Sequence, residues 1–206
     1  MEIKPILFNT EMVKAILDGR KTCTRRIVKP QWEECPACKY VHNEYIYDKM
    51  AENVYCARCG YPLEPERRAP YHPGDIMYVR ETWMDYAGRT MYRADCDKYR
   101  LESLNLAGFS WKPSIHMPKE AARIWLKVTD VRVERLQEIS GEDLTKEGID
   151  LFRSNYVRVA FDEFKNIWNS TIKKSDLDRC GWDANPWIWV IEFERCEKPQ
   201  EASNDN

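Results

Sequence analysis

Eight cysteines are the first residues whose type and spacing suggest chemistry, and four of them form a pattern. Cys35-Pro-Ala-Cys38 is followed, after seventeen residues, by Cys56-Ala-Arg-Cys59-Gly60. Two residues between cysteines let one tight turn aim both sulfurs at a single centre, and two such turns complete a thiolate tetrahedron with no open position. The spacing predicts a structural zinc site on Cys35, Cys38, Cys56 and Cys59. Two disulfides would require an oxidising compartment, and a redox pair would need only one such motif. Cys23, Cys96, Cys180 and Cys196 stand outside ligand spacing and read as small buried or half-buried side chains.

Positive charge is the second concentration. Arg20, Lys21, Arg25, Arg26 and Lys29 fall within ten residues with no acid among them. Residues 1–30 carry a net +4 against −6 for the remainder, although the whole chain is only −2. A cluster of this kind can neutralise phosphate, and a solvated loop has the same composition, so spacing alone leaves both readings standing. Around the cysteines, Tyr40, Tyr45, Tyr47, Tyr55 and Tyr61 alternate with Lys39, Lys49, Arg58, Arg67 and Arg68. Aromatics among cations suit unpaired bases and phosphates, and the same tyrosines suit the small core of a zinc module. His72 and His116 are turn or loop residues with no third ligand and are assigned to no metal.

These groups need a frame to hold them. At 206 residues the chain suits one domain, or one domain carrying an insertion. Its 43% hydrophobic content excludes disorder over most of the length, and its 32% charged residues exceed the usual share of about 25%. The longest apolar run, Trp187 to Ile191, is far short of the roughly 20 residues that span a bilayer. Glu11, Lys14 and Asp18 interrupt the first helix-like stretch, so no secretory signal and a cytoplasmic protein are expected.

Met12, Val13, Ile16 and Leu17 share a face at helical spacing, and Gly19 stands where a left-handed turn ends a helix. A short helix over 10–18 therefore delivers the basic run. The His72-Pro-Gly-Asp75 turn leads into a strand at Ile76–Val79, which runs out at Arg80-Glu81-Thr82-Trp83. Further strands are expected at 90–94, at 124–133 and at 186–194. Ser140-Gly-Glu-Asp143 resembles a capping box opening a helix up to Gly148, with Asp in place of the preferred Glu or Gln. Val157, Ala160, Phe161, Phe164 and Ile167 form the stripe of a helix over 156–169. Several short strands with few helices suggest a small β-barrel, with Trp182, Trp187 and Trp189 in its core rather than acting as base platforms.

Gly19-Arg20-Lys21-Thr22-Cys23-Thr24-Arg25-Arg26, following a short amphipathic helix, resembles the signature of the ASCH domain family, Gly-x-Lys-x-x-Glu/Thr-x-Arg. Gly74-Asp75 before a strand, the strand at 124–133, the Glu147-Gly148 step and the last strand occur in the order such domains show. The stretches 111–118 and 181–187 resemble those of a bacteriophage and prophage subgroup that carries a zinc knuckle. The resemblance implies an α+β fold, mainly β: a PUA-like small β-barrel flanked by short helices. Its expected extent is residues 1–30 and 70–198, with a zinc-ribbon-like module inserted at 31–69 and a disordered tail at 199–206.

The resemblance also implies function. Fold relatives bind RNA or read modified bases, and one bacterial branch hydrolyses the amide of N4-acetylcytidine with a Lys, a Thr and a Glu. Position by position these fall on Lys21, Thr24 and Glu147. A Thr hydroxyl attacks only when a neighbouring base takes its proton, and a carboxylate within hydrogen-bond reach can shuttle that proton or hold the Lys. Arg20, Arg25, Arg26, Glu81 and Trp83 are expected to contact the nucleic acid, Glu81 by accepting from the amino edge of cytosine or guanine. The expected partner is nucleic acid, RNA before DNA, or a nucleoside or nucleotide, with no membrane and with a protein partner left open. A non-catalytic reader or adaptor and an RNA-cleaving enzyme remain as alternatives. So do plain structural roles: Lys21 on a phosphate, Thr24 in a turn, Glu147 in solvent, and Glu81 paired with Arg80 or Arg25.

Overall fold

The computed structural model describes residues 1–29, 31, 34–39, 45–48, 50, 53–62, 69–150 and 157–200. The first strand, β1 (Ile3–Leu7), runs parallel to β5 (Ile76–Arg80), with Ile3 opposite Ile76 and Leu7 opposite Arg80. Pro5 lacks the N–H a central strand needs, and β1 is indeed a terminal strand of its sheet. Helix α1 (Thr10–Leu17) opens where Asn9 accepts from the Met12 N–H at 2.9 Å and buries Val13, Ala15 and Ile16. It stops at Gly19, whose φ of 73° turns the chain into β2 (Cys23–Ile27).

Two hairpins follow: β3 (Tyr45–Asp48) with β4 (Asn53–Cys56), and β6 (Trp83–Tyr86) with β7 (Arg89–Tyr92). Helix α2 (Lys98–Leu106) and strand β8 (Trp125–Arg135) come next, then α3 (Gly141–Lys146), α4 (Val157–Thr171), α5 (Leu177–Cys180) and β9 (Trp187–Cys196). One five-stranded sheet takes the order β1-β5-β8-β9-β2, mixing the parallel β1/β5 pair with antiparallel neighbours. The fold is α+β, as expected.

The chain divides into two compact units. The first holds residues 1–18, 74–127 and the stretch from Glu194 onward; the second holds 19–73 and 128–193. These limits differ from the expected breaks near 30 and 70. The β3/β4 hairpin is grouped with β9 up to Phe193, and Tyr47 meets Trp189 edge-on at 5.5 Å. In the first unit Ile76, Trp83, Met117, Ala122 and Trp125 pack together. In the second, α4 lays Ala160, Phe164 and Trp168 against Cys23, Leu144, Ile188 and Val190. Val157 was expected in that stripe but is exposed, and Trp168 takes the role instead, donating its indole N–H to the Cys180 carbonyl at 2.9 Å. Residue 156, Tyr40, Lys49, Arg67, Arg68 and the tail beyond 200 lie outside the described residues. Among the described residues no helix is long and apolar enough to cross a membrane.

Candidate functional site

The basic run and Glu147 are brought together by α3. Ser140 Oγ accepts from the Asp143 N–H at 3.2 Å while Asp143 Oδ2 accepts from the Ser140 N–H at 3.0 Å, so the capping box forms with Asp in the third position. Buried Leu144 fixes one face of this helix, and its end is closed by Ile149 N–H donating to the Leu144 carbonyl at 3.0 Å. Gly148, at φ 92°, makes that turn possible. The helix end then pairs with the chain entering β2. Lys21 and Glu147 form an antiparallel bridge, and Thr22 N–H donates to the Lys146 carbonyl at 2.8 Å.

This pairing sets the side chains. Lys21 Nζ donates to Glu147 Oε2 at 2.5 Å and to its backbone oxygen at 3.0 Å, across 126 positions of sequence. Arg25 Nη1 donates to Glu147 Oε1 at 3.1 Å, so one carboxylate holds two cations. Lys21 is 2% exposed and Arg25 3%, so the group has left water almost entirely. Arg25 Nη2 lies 3.5 Å from Asp143 and 3.8 Å from Glu134, which is attraction without a hydrogen bond, and Nε and Nη2 have no hydrogen-bond partner among the described residues. A second guanidinium, Arg132, contacts Glu134 and reaches Glu192 at 2.7 Å. Burial alone would lower the Arg132 pKa, but the bonds to Glu134 and Glu192 hold it above the usual arginine range.

The remaining residues of the run divide by the pleat of β2. Successive strand residues point to opposite faces. Cys23 and Arg25 share the Glu147 face, where burial and the Glu147 charge push the Cys23 thiol up to about 12. Thr24 lies on the other face, buried, and no hydrogen bond joins its hydroxyl to Lys21. Arg26 is half-buried and donates to the Arg25 carbonyl at 3.1 Å; burial draws its pKa below the ordinary value, against the pull of Glu147 and Tyr71. Arg20 is exposed and donates to the Gly148 carbonyl at 2.8 Å. Of the three expected working groups, Lys21 and Glu147 are in contact and Thr24 faces away.

Glu81 and Trp83 belong to the first unit. Glu81 is 1% exposed and accepts from Arg123 through both oxygens, at 2.8 and 3.1 Å, so its partner is neither Arg80 nor Arg25. Burial raises its pKa and the Arg123 guanidinium opposes the rise. Arg123 also bonds Asp95 at 2.7 Å and lies 3.9 Å from the Tyr92 ring centroid. Trp83 is packed in the core with the Lys112 amine 4.7 Å from its ring centroid, which corrects the expectation of a side chain presented for contact. Sequence spacing carried no sign of Arg123, 42 positions away from Glu81. Arg132 and Glu134 were equally hidden, since alternating charges on a strand read as a solvated face.

The four cysteines do converge. Their sulfurs all lie within 4.8 Å of one another, with Cys35 to Cys59 at 3.7 Å and Cys38 to Cys56 at 3.8 Å. A tetrahedron with metal–sulfur bonds of about 2.3 Å has sulfur–sulfur edges of about 3.8 Å, whereas a disulfide needs about 2.05 Å. The site can therefore hold a metal ion. Both turns use the same backbone device. Lys39 N–H donates to the Cys35 carbonyl and Gly60 N–H to the Cys56 carbonyl, each at 2.9 Å, with φ of 54° and 67° at the two donors. Four sulfurs fill a tetrahedral shell, so a metal held here would leave no open position for a substrate.

No family model matches this sequence, and no curated protein matches it. Among solved structures the chain is similar to an ASCH domain from Lactobacillus crispatus JV V101, at 13% identity and a TM-score of 0.36, over 94% of this chain and 79% of that one.

Proposed function

We propose that the chain binds a nucleobase or nucleotide, presented in RNA before DNA, at the Lys21, Arg25 and Glu147 group. The observation that carries this reading is the contact between Lys21 and Glu147. Lys21, in the signature stretch 19–26, and Glu147, from the later helix, are two of the residues that the family resemblance marks as working groups, and they meet at 2.5 Å in a nearly dry setting. Leaving charges out of water costs several kcal/mol per ion in real proteins, which a chain seldom carries for stability alone. The group offers fixed donors and a carboxylate acceptor side by side, the pattern that a base edge complements. Exposed Arg20 and Lys29 supply the phosphate contacts.

Fluorescence titration of a short labelled oligoribonucleotide and its DNA counterpart over a salt series tests the reading. Arg20→Ala/Lys29→Ala is expected to weaken binding and to reduce the salt slope by about 0.7 for each phosphate that is no longer neutralised. Arg25 is left intact because its removal would strand Glu147. An unchanged slope contradicts the reading.

The Lys21–Glu147 contact also favours a second reading, hydrolysis of the amide of an N4-acetylcytidine-like nucleoside. Thr24, on the opposite face of β2, is the group it lacks. Incubation with N4-acetylcytidine decides it: turnover lost in Lys21→Ala supports hydrolysis, and no turnover by the wild type removes it. The metal of the cysteine site is taken to be zinc, since four thiolates at these separations suit it. Mass spectrometry of the native protein is expected to find about one zinc per chain.

A further inference from the structure

The stretch from α2 to residue 112 is poorly explained by folding. Helix α2 buries none of its nine side chains, and Tyr99, Leu106, Phe109 and Ile115 are all exposed. Its return path, however, is tightly placed. Trp83 N–H donates to the Lys112 carbonyl at 3.2 Å and Lys112 N–H to the Trp83 carbonyl at 2.8 Å, so the segment ending at Lys112 lies antiparallel against β6. Carried outward, that register sets Phe109 opposite Tyr86, and their rings do meet, edge to face, with centroids 5.0 Å apart. Tyr86 remains 42% exposed and Phe109 40%.

We infer that this ring pair, at the free end of the β6/β7 hairpin, is a stacking platform for unpaired bases of a single-stranded nucleic acid. Three further observations favour that partner. Arg89 is the cross-strand neighbour of Tyr86, and Arg89, Arg93, Arg100 and Lys112 are exposed with no carboxylate within 4.0 Å among the described residues. The nearby acids are already engaged: Asp95 holds Arg123, Asp97 caps α2, Glu102 pairs with Lys98, and Asp85 accepts from the Gly88 N–H. Asp85 and Asp97 keep their charge, so residues 83–112 carry five cations against four carboxylates, and Arg89, across the hairpin from Tyr86, sets an exposed cation beside the rings, the combination that tracks a phosphate backbone while stacking its bases. Finally, the Trp111 indole N–H, one residue from Lys112, has no hydrogen-bond partner among the described residues, a donor that an acceptor-bearing ligand would satisfy.

The platform lies wholly in the first unit and does not depend on the Lys21–Glu147 reading. Anisotropy of a labelled oligouridine octamer tests it, with thermal melting to confirm that each variant is folded. Tyr86→Ala/Phe109→Ala is expected to weaken binding about tenfold or more, and Tyr86→Phe to bind as the wild type does, because the ring rather than the hydroxyl stacks. Arg89→Ala/Arg93→Ala is expected to flatten the salt dependence. Equal binding by the double-alanine variant overturns the inference. So does a wild type that binds no oligomer, which would leave the face to a protein partner. Cytidine monophosphate, too small to need the platform, separates the two sites: a chain that binds it but not the octamer fails here and keeps the earlier reading.

Discussion

Lys21 and Glu147 show what a buried ion pair demands of its neighbours. Removing one member leaves the other charged and dry, so Lys21→Ala and Glu147→Ala should each cost about 3–5 kcal/mol. Lys21→Met/Glu147→Leu removes both of these charges but leaves buried Arg25 to Asp143 and Glu134 alone, and should cost less than the two single changes together. Urea unfolding of the three variants checks this, and additive losses would mean that the pair is not coupled. Asp143 carries a pH dependence of definite sign. Burial would raise its pKa, but the Ser140 hydroxyl and N–H, with Arg25 and Arg132, hold it below the ordinary aspartate value. A carboxyl depressed in the folded state adds stability above its unfolded pKa, and that stability drains away as pH falls through the folded value. Stability should therefore fall on acidification below about pH 4 in the wild type, and by less in Asp143→Asn, as followed by thermal melting across roughly pH 2–7. At this scale the sequence exposed the Lys21 signature and the cysteine spacing. It hid Arg123 and Arg132, because long-range salt partners leave no local pattern.

At the scale of elements, the two cysteine turns offer a matched pair of tests. Lys39 and Gly60 occupy the same left-handed position, which costs a residue with a Cβ about 1 kcal/mol or more. Lys39→Gly should tighten metal binding, measured by competition with a chelator. Gly60→Ala should loosen it by a similar factor, and through the backbone alone, since an added Cβ there meets nothing within 4 Å. Chelation of the metal should release β3 from β4 and with them the Tyr47–Trp189 contact, seen as a change in tryptophan emission. Elements with a burial pattern were the legible ones. Helix α1, strand β8 and helix α4 each show an apolar period, and β9 is a continuous apolar run because it lies inside the sheet with β8 and β2 on either side. Strand β1 was missed because Pro5 breaks its reading as a strand, and a terminal strand tolerates it. Helix α2 was missed because none of its residues is fully buried and only Leu101 and Leu104 are half-buried, too short a stripe to mark it; Asp97, accepting from the Arg100 N–H at 2.8 Å, announces its start.

At the scale of the molecule, the chain is an α+β fold in which the basic turn after α1 is tied to the end of α3 by backbone and charge together. The mixture of strand-like and helix-like periods already pointed to that class. The division into units escaped it, because contacts such as that of Tyr47 with Trp189 join residues more than a hundred positions apart. The two sets of groups proposed to meet nucleic acid lie in separate units, one dry and rich in paired charge, the other exposed and aromatic. The most direct test of the first is calorimetric titration of cytidine monophosphate into the wild type and into Lys21→Met/Glu147→Leu, which keeps the side-chain volume and removes the charges. The account predicts saturable binding by the wild type and at least about tenfold weaker binding by the variant, as loss of hydrogen bonds to charged groups implies. Equal affinity of the two proteins, or no binding by the wild type, would contradict it.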